Sequence, residues 1–442
     1  MNSMELKSFA AAPMKGSMSR FDPYLKNYAD STDVSHLAGE IAGTWQSLRN
    51  QNFYSGGPRS AQTDQAINRA ITSLKIASET NDRLMLAEAC RLMAHTLNAD
   101  EQHEQSLDYY EKAILLFENV GAAEQAARTR LGYTAALYMT GKYDDSLANA
   151  VTAERWFQAN NHPTGLAKVY GNMGNLWMRR EQHVLALQHH QKARALFEQL
   201  EDWPALAMTY LNLANCLSFA DHLHEAEKMY EAAEELSASL SMRELFMQAR
   251  YNKSYLMFLK GRCTEALNSF AEVREYFVRT NSRHHVNLCD LDVSEIYLHL
   301  MKPAEAVTYA KQAVEGFAKT SKRYEHAKAL AFCAMGLSQI QQLSEAEAAG
   351  EASRKLFEQE GNKYWISMMG FCLAYVGMAR GEVAKAKLLA VQAKVHFQGM
   401  ELKDWVADSL NRLGTLALEA SQVKTAAACM AEMLKLTINK RL

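Results

Sequence analysis

A small residue returns every 40 positions along this chain, at Ala66, Ser106, Ser146, Ala186, Ala226, Ala266, Ala306, Ala346, Ala386 and Ala426. Two further ladders keep the same step. Eleven residues later stand Phe117, Phe157, Phe197, Phe277, Phe317, Phe357 and Phe397, with Ala77, Ser237 and Thr437 as exceptions. Twelve residues earlier stand Ala94, Thr134, Gly174, Ala214, Ser254, Ser294, Ala334, Ala374 and Gly414. Such self-similarity is the mark of a stacked repeat architecture, in which one unit cannot bury its own apolar face and its neighbours bury it instead.

The unit is helical. Only 6 prolines and 21 glycines interrupt 442 residues that are 48% apolar, and Ala, Leu, Glu, Gln, Met and Lys lose little freedom in a helix. The small positions let two helix axes come close, and the larger side chains fill the space around the contact. Each repeat therefore reads as a hairpin of two helices, for example Leu166 to Arg180 and Leu185 to Leu200. The residue twelve positions upstream faces two small residues of the second helix, as Gly174 faces Ala186 and Ala193, and the Phe packs on the following hairpin. Gly141, Gly261 and Gly381 mark the turn in three repeats.

These positions have the register of the tetratricopeptide repeat, whose consensus the segment Tyr170 to Trp177 (YGNMGNLW) resembles. The resemblance spans roughly residues 60 to 438. It implies an all-α, right-handed superhelical solenoid of about nine to ten hairpins, working as a scaffold for a peptide or protein partner. The unit departs from the usual one in being longer and in ending on Phe and a polar turn, a variant shared with kinesin light chain and bacterial signalling proteins. Residues 61–442 form the expected solenoid, 31–60 a degenerate first helix and loop, and 1–30 a flexible tail. Three segments, Ala249 to Leu256, Leu288 to Leu298 and Leu356 to Asn362, are also similar to arrays that precede caspase-like CHAT peptidase domains in bacteria. That similarity implies a regulatory or sensor module of a protease system whose peptidase this sequence does not contain. A regulator that senses a small molecule is a further alternative.

A ligand in such a fold lies on the first helix of each hairpin. Asn172, Asn212 and Asn252 recur there at the 40-residue step, Asp292 continues the series, and Asn175 and Asn215 lie one turn further on. An amide carries donors and an acceptor, so a row of them suits the main chain of an extended peptide. Equally, the amides can bond to one another or to neighbouring helix carbonyls. Arg128, Lys168 and Arg179 fall near the same side and suit acidic groups. Peptide or partner binding is thus expected at these nine residues.

Other chemistry is not expected. The pairs His189 and His190, His284 and His285, and His222 with His224 lack accompanying carboxylates or cysteines at ligand spacing, so no metal is assigned. There is no Gly-rich phosphate loop or nucleophile elbow, so no cofactor and no catalysis is assigned. A formal net charge of -2 favours neither nucleic acid nor an anionic membrane. The charge-free run from Tyr364 to Ala379 falls short of the roughly 18 to 20 residues that span a bilayer. The 7 cysteines form no CxxC pair and read as reduced, buried small hydrophobes of a cytoplasmic protein. In the last helix Ala426, Ala427, Met430, Met433 and Leu434 pack inward, which leaves Cys429, Leu436 and Ile438 on the other side. Residues 423–442 are therefore expected to touch another chain or domain.

Overall fold

The computed structural model describes residues 61–79, 82–320, 322–359 and 361–382, with short stretches as far as 393. Among the described residues are sixteen α-helices and no strand. They are α1 (Ala61–Glu79), α2 (Arg83–Ala99), α3 (His103–Asn119), α4 (Ala123–Met139), α5 (Tyr143–Ala159), α6 (Pro163–Arg179), α7 (His183–Gln199) and α8 (Trp203–Phe219). There follow α9 (Leu223–Ser239), α10 (Arg243–Leu259), α11 (Cys263–Arg279), α12 (Arg283–His299), α13 (Pro303–Phe317), α14 (Arg323–Gln339), α15 (Leu343–Gln359) and α16 (Lys363–Ala379). From α2 on, a helix begins every 20 residues, so the 40-residue unit is two equal halves. Even-numbered helices are the first of each hairpin and odd-numbered ones the second. The two helices of the hairpin expected at 166–200 are α6 and α7, each beginning a few residues earlier than the apolar pattern indicated. The described helices fall into two compact units, the first ending at Phe246 and the second beginning at Met247.

The turns explain the even spacing. At the end of α3 the Ala122 N–H donates to the Phe117 carbonyl (2.8 Å) and the Gly121 N–H to the Glu118 carbonyl (3.1 Å), closing the helix with Gly121 at φ 75°. The same pair of bonds follows α2, where Glu101 takes the left-handed position at φ 59°. Gly141, Gly261 and Gly381 occupy it as the sequence indicates, but Glu181, Glu201, Asp221 and Gln341 occupy it elsewhere. Each such non-glycine costs about 1–2 kcal/mol, which the two carbonyls capped in the turn and the packing of the helices on either side offset.

Packing follows the ladders. Thr134 lies against Ser146, whose hydroxyl donates to the Thr134 carbonyl (3.0 Å), and Ser254 meets Ser269 (2.6 Å). The Phe ladder closes the seam to the next hairpin: Phe277 stacks on His285 at 4.3 Å and Phe357 on Trp365 at 5.4 Å between centroids. Phe157 lies so close to Gly165 that a Cβ there would be 2.2 Å from its ring. Residues 1–60 and 423–442 lie outside the described residues, and so do the tail, the degenerate first helix and the C-terminal contact expected from the sequence.

Candidate functional site

In the first unit, the first helices bury one side and leave another open. On α6, Ala167, Val169, Met173, Gly174 and Leu176 are buried, whereas Lys168 and Arg179 are exposed and Gly171, Asn172 and Asn175 half-buried. This follows from helical spacing: 168, 171, 172, 175 and 179 share one face, opposite the small residues that admit α7. The matching residues of α8, Met208, Asn212 and Asn215, are also half-buried, and Arg128 on α4 is exposed.

The amides differ in what they already hold. Asn172 Nδ2 donates to the Leu131 carbonyl of α4 (2.8 Å), which leaves its carbonyl oxygen and one N–H for other partners. Asn175 lies near enough to the Tyr138 hydroxyl to draw its pKa down, and Asn215 Oδ1 accepts from Tyr230 Oη (2.7 Å). Asn212 makes no hydrogen bond within the described residues. Of the cations, Arg128 pairs with Glu124 (2.6 Å), Arg179 lies 5.7 Å from the Tyr138 ring centroid, and Lys168 has no ion pair among the described residues. Burial pushes the Tyr138 hydroxyl up from its usual pKa, against the pull of Asn175 and Arg179.

The second unit treats the same register differently. Asn252 is half-buried, but Asp292 is only 5% exposed and accepts a hydrogen bond from Tyr251 Oη. One turn on, Glu295 is 1% exposed; it meets Lys328 Nζ at 3.0 Å and Tyr255 Oη at 3.4 Å. The Lys328 ammonium also sits 5.0 Å from the Phe332 ring centroid. On α12, Asp290 is clamped by Arg274 at 2.6 and 3.1 Å, yet burial still raises its carboxyl pKa. Further along, the face positions are Phe332 and Met335 on α14 and Met368, Cys372 and Tyr375 on α16, all buried. The sequence reading missed Tyr251, Tyr255, Glu295 and Lys328; Glu295 and Lys328 stand 120 and 160 residues after Asn175 and Lys168, so the repeat step carried the signal.

The histidines singled out from the sequence are packing residues where they are buried. His190, with both ring nitrogens unpartnered, lies on Gly174, and burial first, then the His189 charge, depresses its pKa to about 4. His285 is bonded to Ser282 (2.8 Å) and is likewise lowered to about 4 by burial and then by His284. Burial pushes the thiols of Cys90, Cys216 and Cys372 up to about 12, far from a reactive thiolate. No group of three or more potential metal ligands occurs among the described residues. No helix among them is long and apolar enough to cross a membrane.

Residues 165–239, which hold the α6 to α9 hairpins and four of the candidate asparagines, match the family model of the tetratricopeptide repeat. No curated protein matches the chain in sequence. Among solved structures, the apo quorum sensor NprR from B. thuringiensis matches with a TM-score of 0.54 at 13% identity, over 82% of this chain and 99% of that one. A Rap protein complexed with competence and sporulation factor matches with a TM-score of 0.51 at 13% identity, over 81% and 99%. A signal transduction ATPase with a tetratricopeptide repeat sensor, from Pyrococcus horikoshii, matches with a TM-score of 0.56 at 12% identity, over 98% of this chain and 67% of that one. At these identities the likeness is one of fold, and the hairpins of this chain are tetratricopeptide-like.

Proposed function

We propose that the chain is a non-enzymatic scaffold that holds a peptide or protein partner on the first-helix face of its first unit. The observation that carries this reading is the open polar stripe formed there by Asn172, Asn175, Asn212 and Asn215, with Arg128, Lys168 and Arg179 beside it. Amides half-open to solvent can bond a peptide's main chain whatever its side chains, and the cations add preference for acidic residues. Asn252 and Asp292 occupy the equivalent positions of the second unit, Asp292 with its carboxylate already bonded to Tyr251. The names of the structural neighbours, a quorum sensor and a Rap protein bound to a competence and sporulation factor, agree with a fold that receives peptides or proteins.

The test is to select peptides from a random library on the intact protein, resynthesise them, and measure affinity by calorimetry for the parent and for the triple variant Asn172→Ala, Asn212→Ala, Asn252→Ala. The expected result is a loss of about tenfold or more in affinity, near 1.4 kcal/mol, with the cooperative unfolding transition retained and lowered by no more than the hydrogen bonds these half-buried amides make, such as that from Asn172 to the Leu131 carbonyl. Unchanged affinity would assign these amides to the fold instead. The similarity to CHAT-associated arrays rests on three sequence segments, and a role in such a protease system would show as a protease captured with the intact protein in a pull-down read by mass spectrometry.

A further inference from the structure

Two glycines three residues apart on α6 have opposite surroundings. A Cβ on Gly174 would lie 2.5 Å from the His190 ring, so that position has to be small. A Cβ on Gly171 would meet nothing within 4 Å among the described residues. Glycine inside a helix costs stability relative to alanine, and at Gly171 no packing among the described residues requires it.

The repeat shows what is missing. At the same register stand Leu131 on α4, Leu211 on α8, Tyr251 on α10 and Leu291 on α12. This position looks across to the residue 41 further along, on the next first helix. Leu131 offers its carbonyl to Asn172, and Tyr251 its hydroxyl to Asp292. The corresponding pair between α6 and α8 is Gly171 and Asn212. It lacks a side chain on one side and a hydrogen bond on the other, since Asn212 bonds to nothing among the described residues. Lys168 and Asn175 lie one turn below and above Gly171 on the same stripe.

We propose that the Gly171–Asn212 gap is the specificity-determining seat of the peptide-binding face. One large apolar side chain of the peptide takes the place that Leu takes in the neighbouring hairpins. The peptide bond beside it pairs with the Asn212 amide. This rests on the reading of the first unit as a peptide-binding face, and it adds the class of residue the peptide must present. The register supplies the preference for an aliphatic or aromatic side chain: Leu131 and Leu211 flank the gap along the repeat direction, and Met208 stands one turn from Asn212.

The experiment uses peptides selected from a random library on the intact protein. Three proteins are compared with the parent: Gly171→Leu, which restores the side chain of the neighbouring repeats; Gly171→Ala, which adds only a Cβ into open space; and the triple asparagine variant above. Selected peptides are expected to share one aliphatic or aromatic position, and Gly171→Leu to weaken their binding about tenfold or more. Gly171→Ala should give a smaller loss while unfolding at or above the parent's midpoint, which separates a blocked seat from a damaged fold. Replacing the shared peptide residue by Ala should weaken binding to the parent but not further weaken binding to Gly171→Leu. Should Gly171→Leu bind as tightly as the parent while the triple variant loses affinity, the seat is wrong and the face stands. Should neither variant lose affinity, or should no peptide be selected, both readings fall.

Discussion

The first helices of the two units share one repeat register and put it to different uses. At the positions of Lys168, Asn172 and Asn175 the first unit is polar and open. The same positions on α14 hold Lys328, Phe332 and Met335, each at most 2% exposed. The helical framework is held by small residues and Phe seams that do not depend on what the face carries. The face is therefore free to diverge, into a surface that can hold a partner in one unit and into interior in the other. Polar letters at the face mean opposite things in the two places: Asn212 carries no bond within the described residues, whereas Glu295 is bound to Lys328 and Tyr255.

The sharpest way to break this contrast is to remove Lys328. Lys328→Met should destabilise the second unit by about 3–5 kcal/mol, because the Glu295 carboxylate is left buried without its cation. The double variant Lys328→Met, Glu295→Leu should recover most of that loss, since an apolar pair of similar volume avoids the desolvation of both charges. Denaturant unfolding of both variants checks it; an unaffected Lys328→Met would mean that the pair is solvated and the second unit's face is open like the first.

Acid is next in size. His190 has a folded pKa of about 4, below the usual 6.5, so its neutral form contributes stability in full above pH 6.5. That contribution is lost as the pH falls from 6.5 towards 4, at most about 3 kcal/mol for this group. His95, lowered to about 3 by burial and then by Arg91, adds to the same trend in the first unit, and His285 does so in the second. Stability followed by chemical unfolding between pH 7 and 4.5 should decline, and His190→Leu should flatten part of the slope. An unchanged slope would show that His190 reaches water.

Gly174→Ala is expected to cost about 1–3 kcal/mol, since its Cβ would meet the buried His190 ring at 2.5 Å. Against it, Asn212→Ala and Lys168→Ala should each change stability by less than about 0.5 kcal/mol. That difference, read by thermal unfolding, separates the packed side of α6 from its open side.

The hairpins were legible in the sequence because small residues and Phe are costly to misplace in a close helix contact, so Ala186 and Phe197 announce themselves. The even 20-residue spacing was not, because most of the turns put a residue other than glycine in the left-handed position, as at Glu101 and Gln341, where the side chain gives no sign of the backbone angle. The asparagine ladder was legible as a pattern, but its division was not. Asn172 bonds to a neighbouring carbonyl, Asn215 to Tyr230, and Asn212 to neither, and these outcomes depend on what the adjacent helix presents. Likewise Gly171 and Gly174 look alike in sequence; only the packing tells which is crowded.

If the open face of α6 and α8 receives the partner, lysine footprinting will register it at Lys168. The intact protein is acylated with and without a selected peptide, and each lysine is read by mass spectrometry. Lys168 should be protected about tenfold, while Lys192 on α7 and Lys355 on α15, both exposed on second helices, should react as before. Protection of Lys192 or Lys355 with Lys168 unchanged would place the partner on the second helices instead.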